Sequence, residues 1–183
     1  RVFINGSLLT SVGKVGTSAA EEAPDFKTHV VGFSPGADRF DIVLHVSNYF
    51  FIQSGILRSI VLGREWDLNS QREKRLLLEF IFIGILLVMG VYHFSIFWLR
   101  KYEQLPLYFG LICIFLAVRI LNKGERFFLN MFPDFGYFAW STFNYSIDYA
   151  VGILFIMFFY RLFGSAVSKK LIYAFVGSFL FLI

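Results

Sequence analysis

The sequence predicts a mixed fold, in which a partial antiparallel β-sandwich is followed by an α-helical transmembrane bundle. Residues 80–99 form a run of 20 residues without Asp, Glu, Lys or Arg. At about 1.5 Å per residue, a helix of that length crosses the roughly 30 Å hydrocarbon core of a bilayer. The charged side chains are distributed accordingly, since residues 1–75 carry 17 of the 30 and the longer remainder carries 13.

These totals divide the chain into three parts and exclude several functions. We predict a partial β-sandwich sensor domain over residues 1–70, a joint over residues 71–79, and the first part of a membrane bundle over residues 80–183. The net charge of +4 forms no basic cluster, so nucleic acid is not expected as a partner. Cys113 is the single cysteine, which excludes a disulfide within the chain. Because the sequence begins without Met and ends in an apolar run, we expect it to be a piece of a longer protein.

Short strands separated by turns account for the predicted sandwich. Residues 2–4 and 7–9 flank Asn5-Gly6, and this dipeptide is a strong hairpin signal because both residues tolerate positive φ. In residues 40–48 apolar and polar side chains largely alternate, which is typical of a strand with one buried face. Further short strands are predicted at residues 29–33 and 56–63. Several short strands of this kind favour an antiparallel sandwich or jelly roll.

The motif VFINGS at residues 2–7 and the run FDIVLHVSN at residues 40–48, with a Gly-containing loop between them, resemble the galactose-binding-like jelly rolls. The resemblance implies either an extracellular domain that binds a small ligand of the carbohydrate class or a structural sandwich without a ligand. The candidate ligand contacts are the polar or aromatic residues Asn48, Tyr49, Phe50, Phe51 and Gln53. The alternative is that the aromatic residues 49–51 pack the edge of the sandwich or lie on the membrane surface.

Four apolar segments are predicted to enter the membrane. They cover residues 80–99, 105–121, 137–160 and 171–183. Pro106 falls in the first turn of the second segment, where its missing N–H costs nothing. The fourth segment has 13 residues, which as a helix reach only about 20 Å. It is therefore predicted to be cut off within the membrane.

Basic residues between the spans indicate the orientation. The first and third connections are basic, with Arg100, Lys101, Arg161, Lys169 and Lys170. The positive-inside rule places these connections in the cytoplasm and the β-domain outside. The basic residues before the first span argue the other way, and they are Arg72, Lys74 and Arg75. We expect a multi-pass protein of the inner membrane with an extracellular or periplasmic N-terminal domain.

The segments GILLVMGVYH at residues 84–93, FWLRK at residues 97–101 and LYFG at residues 107–110 resemble the bacterial seven-transmembrane receptors with diverse intracellular signalling modules. The resemblance covers residues 76–183, although His93 stands where the family usually has Asn. It implies a receptor with a jelly roll before the bundle and a cytoplasmic signalling module after it. The modules of this family include histidine kinases, diguanylate and adenylate cyclases, and phosphatases.

Polar side chains inside the predicted spans form a candidate transmembrane network. The third span has a polar stripe at helical spacing that includes Ser141, Asn144 and Asp148. This stripe should face the bundle because ionisable groups are costly in lipid. Arg119 is the obvious partner of Asp148, but counted along the helices it lies only about 3–5 Å from the outer end, against roughly 16 Å for Asp148. Two interpretations of Arg119 are therefore kept, namely that it snorkels to the interface or that it contacts the stripe. Two are also kept for Asp148, namely a structural hydrogen-bonded role and proton transport. For His93 a hydrogen bond between helices is the default interpretation and proton sensing the alternative.

The residue patterns of an active site are absent from the sequence. It has no phosphate-binding Gly loop, no paired His at metal spacing and no Ser-His-Asp set at a plausible cleft, so we expect no enzyme activity, metal or cofactor in this chain. The leading hypothesis is a receptor, embedded in the lipid bilayer as a monomer or homodimer. It would pass the binding of an extracellular small ligand to a cytoplasmic signalling module in the same polypeptide. The alternative is a transporter or membrane enzyme that uses Asp148 and Arg119, with the β-domain as a structural cap.

Overall fold

The computed structural model describes residues 1–25, 28–36, 39–50, 60–132, 135–164 and 177. Within these residues the chain has three β-strands followed by four α-helices. It divides into two compact units, Arg1–Lys74 and Arg75–Ile183. The first unit holds the sheet, and the second holds the apolar helices.

The sheet of the first unit is antiparallel, with the strand order β2-β1-β3. Its strands are β1 (Val2–Ile4), β2 (Ser7–Thr10) and β3 (Ile42–Leu44). The predicted hairpin is present, because Asn5 and Gly6 both have positive φ, at 48° and 80°, as a tight two-residue turn with matching twist requires. Asn5 also fixes the third strand, since its side-chain Oδ1 accepts a hydrogen bond from the backbone N–H of Asp41 at 2.9 Å.

The predicted jelly-roll sandwich is not confirmed in the described part of the chain, which contains this single three-stranded sheet. The strand predicted at residues 40–48 extends only over β3, and residues 29–33 form no strand. Of the strand predicted at residues 56–63, residues 60–63 form no strand, and residues 56–59 lie outside the described residues. Beyond Leu44, His45 still exchanges backbone hydrogen bonds with Arg1, whereas at Tyr49 the backbone N–H bonds to a side chain instead of a neighbouring strand.

That side chain is Glu22, which accepts two hydrogen bonds from the segment after β3. Its Oε1 accepts a hydrogen bond from the hydroxyl of Ser47 at 2.9 Å. Its Oε2 accepts one from the backbone N–H of Tyr49 at 2.7 Å. The phenol of Tyr49 in turn donates to the backbone oxygen of Thr17 at 2.5 Å. The Glu22 carboxylate therefore provides the acceptor for the backbone N–H of Tyr49 that another strand would provide in a larger sheet.

The second unit contains three helices of membrane-spanning length and one short helix. They are α1 (Glu65–Leu99), α2 (Leu105–Asn122), α3 (Phe127–Met131) and α4 (Tyr137–Phe163), with α1 beginning before the unit boundary. The first, second and fourth are long and apolar enough to cross a membrane, which confirms three of the predicted spans. The fourth predicted span, 171–183, lies outside the described residues apart from residue 177.

The first long helix begins 15 residues before the predicted span, at residue 65 instead of residue 80. Residues 65–79 are rich in Leu, Glu and Arg, which are strong helix formers. Glu65 and Asp67 lie in its first turn, where negative side chains stabilise the positive end of the helix dipole. At 35 residues, α1 is about 52 Å long.

The core of the membrane unit is built around α2. Ile112, Cys113 and Ala117 of this helix are at most 3% exposed. On the α1 side, Gly90 and Gly110 bring two helix backbones together, since a Cβ added at Gly110 would lie 3.3 Å from the carbonyl oxygen of Gly90. Small residues allow this close approach between membrane helices. On the other side α2 packs against α4, so α2 lies between its two longer neighbours.

Candidate functional site

Two basic side chains of α2 and the segment after it meet one carboxylate of α4. Arg119 Nε lies 2.5 Å from Asp148 Oδ1, and Lys123 Nζ lies 2.7 Å from Asp148 Oδ2. Arg119 and Lys123 are four residues apart, so a helical course places them on one face. Their side chains are 40% exposed and that of Asp148 is 30% exposed. Both carboxylate oxygens are thus engaged, and the Asp148 cluster, as we name these three residues, has a net charge of +1.

The contact between Arg119 and Asp148 corrects the depth estimate from the sequence. That estimate assumed that α2 ends and α4 begins at the same level. In the structure the first turns of α4 lie beside the connecting segment, because Trp140 lies 5.4 Å from Arg126 and Phe143 lies 5.4 Å from Phe128, measured to ring centroids. The start of α4 is thereby displaced along its axis, and Asp148 comes to the level of Arg119.

A second polar group joins α1 to the turn after α2, residues 123–126. The Glu79 carboxylate on α1 lies against Gly124, where an added Cβ would collide with it. Its Oε1 accepts a hydrogen bond from the backbone N–H of Glu125 at 3.3 Å. Glu125 is 5% exposed, and its Oε1 lies 3.3 Å from Arg75 Nε. We name Arg75, Glu79, Gly124 and Glu125 the latch.

The backbone of this turn is unusual at two positions. Gly124 has φ of 59°, which glycine adopts easily, but Arg126 has φ of 54° without being glycine. The guanidinium of Arg126 lies over the ring of Trp140, which is 8% exposed, and such cation–π contacts are attractive. The contact with Trp140 therefore helps to hold Arg126 in the left-handed region.

The remaining residues of the predicted polar network do not join the Asp148 cluster within the described part of the chain. His93 Nδ1 is 2.8 Å from the carbonyl oxygen of Met89 one turn earlier on the same helix, and its ring contacts Phe109 of α2 at 4.4 Å. Its contact between helices is thus aromatic and not the predicted hydrogen bond. Ser141 is half-buried two turns before Asp148. Asn144 has a buried side-chain oxygen without a hydrogen-bond donor among the described residues.

Lys123 and the latch residues were not identified as site residues from the sequence. The signal for Lys123 was its spacing of four residues from Arg119. The signal for the turn was the pair Gly124 and Glu125, since Gly permits the left-handed backbone that brings the neighbouring N–H to a carboxylate. Neither signal identifies the partner, because Glu79 and Asp148 lie far away in the sequence.

The predicted ligand contacts of the first unit are only partly described. Tyr49 is 50% exposed, and both its backbone N–H and its phenol are bonded within the unit. This arrangement favours the interpretation that Tyr49 packs the domain. Asn48 lies beside it, while Phe51 and Gln53 lie outside the described residues. Ligand binding by these residues stays a prediction.

A small cavity of about 100 Å³ lies elsewhere in the first unit. Most of its lining side chains are apolar, but polar atoms form about half of its surface, and the carboxylate of Glu65 lies near Gly32. Its lining residues are Val30, Val31, Gly32, Phe33, Val61, Leu62, Gly63, Glu65 and Leu68. Pockets that enclose drug-sized ligands are about 300–1,000 Å³, so this cavity alone is too small to enclose a sugar. Among the described residues no group of three or more His, Cys, Asp or Glu side chains is placed to hold a metal ion.

The three long apolar helices and the ion pairs between them define a multi-pass membrane protein. Residues 75–183 match the sequence profile of the family described as 7TM diverse intracellular signalling. The match covers more than half of the chain, and the chain therefore belongs to this family. The predicted resemblance to the seven-transmembrane receptors is confirmed, and with it a membrane receptor role. Comparison with curated proteins and with solved structures found no match.

Proposed function

We propose that this chain is the sensing and transmembrane part of a receptor of the inner membrane. Its N-terminal unit lies outside the cytoplasm and binds a small ligand of the carbohydrate class. A signalling module of the same polypeptide, on the cytoplasmic side, gives the output. Membership of the 7TM diverse intracellular signalling family supports this assignment.

The observation that carries the proposal is the latch. The polypeptide enters the membrane unit at Arg75, and Arg75 and Glu79 are the residues of α1 that bind the turn after α2. A displacement of α1 at this level would move the turn, and Lys123 would pass the movement to Asp148 on α4. A receptor requires such a coupling between the entry point of the signal and the rest of its bundle.

The basic residues of the connections support the orientation. Arg100 and Lys101 follow α1, and Arg161 lies in the last turn of α4. With both helix ends in the cytoplasm, these connections follow the positive-inside rule and the first unit lies outside, although the basic residues before the first span argue the other way. Proteolysis of inverted and right-side-out vesicles tests this, because the first unit should be cleaved only in right-side-out vesicles.

The alternative, a transporter or membrane enzyme that uses Asp148, is favoured by one observation, namely that Arg119 and Asp148 form the pair that such a pathway would need. Both oxygens of Asp148 are engaged by cations, however, which fits a structural or switching role better than a carrier role. If the protein is a receptor, vesicles with the wild type and vesicles with Asp148→Asn should take up protons and solutes at the same rate. A proton or solute flux that disappears with this variant would favour the alternative.

Ligand binding is tested on the full chain in nanodiscs with a panel of monosaccharides and oligosaccharides. A ligand that binds only the folded state should raise the free energy of unfolding by about 2.7 kcal/mol at 100 times its Kd. The shift in Tm should disappear in Asn48→Ala or Gln53→Ala and persist in Asn130→Ala, a polar substitution in the membrane unit. A panel without any shift would rule out the carbohydrate class.

A further inference from the structure

The contacts that the part of α1 in the membrane unit makes with the other helices include two that differ in position along α1, and we call these the inner and the outer place. Of its residues, Ile83 and Gly90 are buried, whereas many of its large apolar side chains are more than a third exposed. The inner place is the contact of Gly90 with Gly110 and Ile114. The outer place is the latch. Glu79 and Gly90 are 11 residues apart (90 − 79), which is about 16 Å along a helix.

The two places differ in kind. At the inner one, backbones pack closely, and a Cβ on Gly90 would lie 3.0 Å from the side chain of Ile114. At the outer one, the contacts include one ion pair and one hydrogen bond, both 3.3 Å long, and the ring of Phe80 lies 4.9 Å from that of Phe127 on α3. The side chain of Arg75 is 63% exposed, and ion pairs that reach solvent contribute little stability. The exposed ion pair of the outer contact is therefore easier to open than the close backbone packing at Gly90.

The turn to which α1 is latched also has a backbone that depends on its surroundings. Gly124 and Arg126 both have positive φ, and a non-glycine residue in this region persists only where neighbouring contacts hold it. Those contacts are the Glu79 carboxylate against Gly124 and the Trp140 ring beside Arg126. One of them comes from α1 and the other from α4, so the turn responds to both helices.

We propose that the latch is the conformational switch of this receptor, in which α1 pivots at the Gly90–Gly110 contact and its outer turns separate from residues 123–126. The inference rests on the receptor function proposed above. Opening removes Glu79 from Gly124 and Arg75 from Glu125. It leaves the turn free to change its backbone, and Lys123, the first residue of that turn, transmits the change to Asp148 on α4. The bilayer-embedded contact at Gly90 stays closed.

Hydrogen exchange of the full chain in nanodiscs, followed by mass spectrometry without ligand, tests the switch. The backbone N–H of Glu125 is bonded to Glu79 in the closed state, so its exchange reports opening. We expect Arg75→Gln to raise the exchange rate of peptides that cover residues 123–126 about tenfold. Peptides that cover residues 88–96 should exchange as in the wild type.

Arg100→Gln is the matched control, because it also removes an arginine that flanks the apolar part of α1. Its ion pair with Glu103 is exposed on both sides, at 70% and 59%. Exchange at residues 123–126 should not change in this variant. The proposal is overturned if Arg75→Gln leaves this exchange unchanged, or if the two variants change it equally. The double variant Arg75→Glu/Glu125→Arg should restore slow exchange that each single substitution loses.

A glycine pair tests the role of Glu79 without removing a charge. Alanine at Gly124 meets both an unfavourable positive φ and the Glu79 carboxylate, whereas alanine at Gly164 meets a similar φ of 53° with open space around it. Gly124→Ala should therefore raise the exchange rate of the peptides that cover residues 123–126, and Gly164→Ala should leave that rate unchanged. Equal exchange in the two variants would show that Glu79 does not hold the turn.

Addition of the sugar panel to the same measurement separates this inference from the proposed function. If Arg75→Gln opens the turn and an active sugar changes the exchange of the same peptides in the wild type, both proposals hold. If the variant opens the turn but no sugar has any effect, the switch stands and carbohydrate sensing fails. If a sugar binds and changes exchange elsewhere only, sensing stands and the latch is not its switch.

Discussion

Each unit of this protein contains a carboxylate with two partners. The partners are neutral in the first unit and positively charged in the membrane unit. In the first unit Glu22 accepts hydrogen bonds from the neutral groups of Ser47 and Tyr49. In the membrane unit Asp148 is bound by the cations Arg119 and Lys123. A charge near water keeps part of its hydration, so neutral donors are sufficient there. A charge within a membrane helix lacks this alternative and requires opposite charge.

The largest effect is expected from Asp148→Ala, which leaves two cations without their counter-ion. Removal of one partner from a fully buried pair costs about 3–5 kcal/mol. Because these side chains are 30–40% exposed, we expect about 2–3 kcal/mol, measured as the free energy of unfolding in detergent micelles. Ser141→Ala, on the same helix face, is the control and should cost less than about 1 kcal/mol. Equal stability of the two variants would contradict the importance of the ion pairs.

A smaller effect is expected at the close contact between α1 and α2. Alanine at Gly90 would bring its Cβ within 3.0 Å of Ile114, whereas at Gly84 it would meet nothing within 4 Å. Gly90→Ala should therefore destabilise by about 1–2 kcal/mol. Gly84→Ala should be neutral or stabilise by up to about 1 kcal/mol, because alanine is the better helix former. The two variants are compared by thermal unfolding in the same nanodiscs, and an equal Tm would mean that α1 does not pack on α2 at Gly90.

Glu22→Ala tests the aqueous side of the comparison and should cost about 1 kcal/mol. It removes two hydrogen bonds that are exposed or only partly buried, so each contributes at the low end of the usual range of about 0.5–1.5 kcal/mol. The readout is amide exchange at Tyr49, whose N–H donates to Glu22. Glu22→Gln keeps an acceptor oxygen and should lose less protection than Glu22→Ala. Equivalent loss would indicate that the charge, and not the acceptor, is what Tyr49 needs.

The smallest effect concerns pH. Hydrogen bonds from the backbone N–H and then the hydroxyl of Thr17 lower the pKa of Glu21 from its ordinary value of 4.5. Since the pKa is lower in the folded state, the stabilisation is fully present above pH 4.5 and is lost as the pH falls through the folded-state pKa. The protection of the Thr17 amide, which compares its exchange rate with that of an unstructured peptide at the same pH, should decrease as the pH falls below 4.5, and Glu21→Gln should remove this pH dependence.

The sequence predicted the features that depend on neighbouring residues. The apolar runs indicated the spans now seen as α1, α2 and α4, and Asn5-Gly6 indicated the hairpin. The early start of α1 was missed because residues 65–79 contain seven charged residues, which interrupt the apolar run that indicates a span. The strand at residues 40–48 was overestimated because the alternation of side chains does not show where backbone pairing ends, and here Ser47 bonds to Glu22 through its side chain.

The site could be predicted only in its components. Arg119 and Asp148 were identified as costly charges within spans, yet their meeting depends on how far α4 is displaced beside α3. That displacement is set by the packing of Phe128 and Trp140, which no local pattern encodes. The same holds for Glu79 and Glu125, whose contact requires the left-handed turn at Gly124.

The lone cysteine of α2 has a practical consequence for anyone who labels this receptor. Cys113 is the single thiol of the chain and is 3% exposed. A maleimide should therefore react slowly with the unmodified protein, and fast only with a thiol introduced at the surface. Fluorophores and spin labels can thus be placed one at a time on the natural sequence, without first removing a side chain from the centre of the bundle.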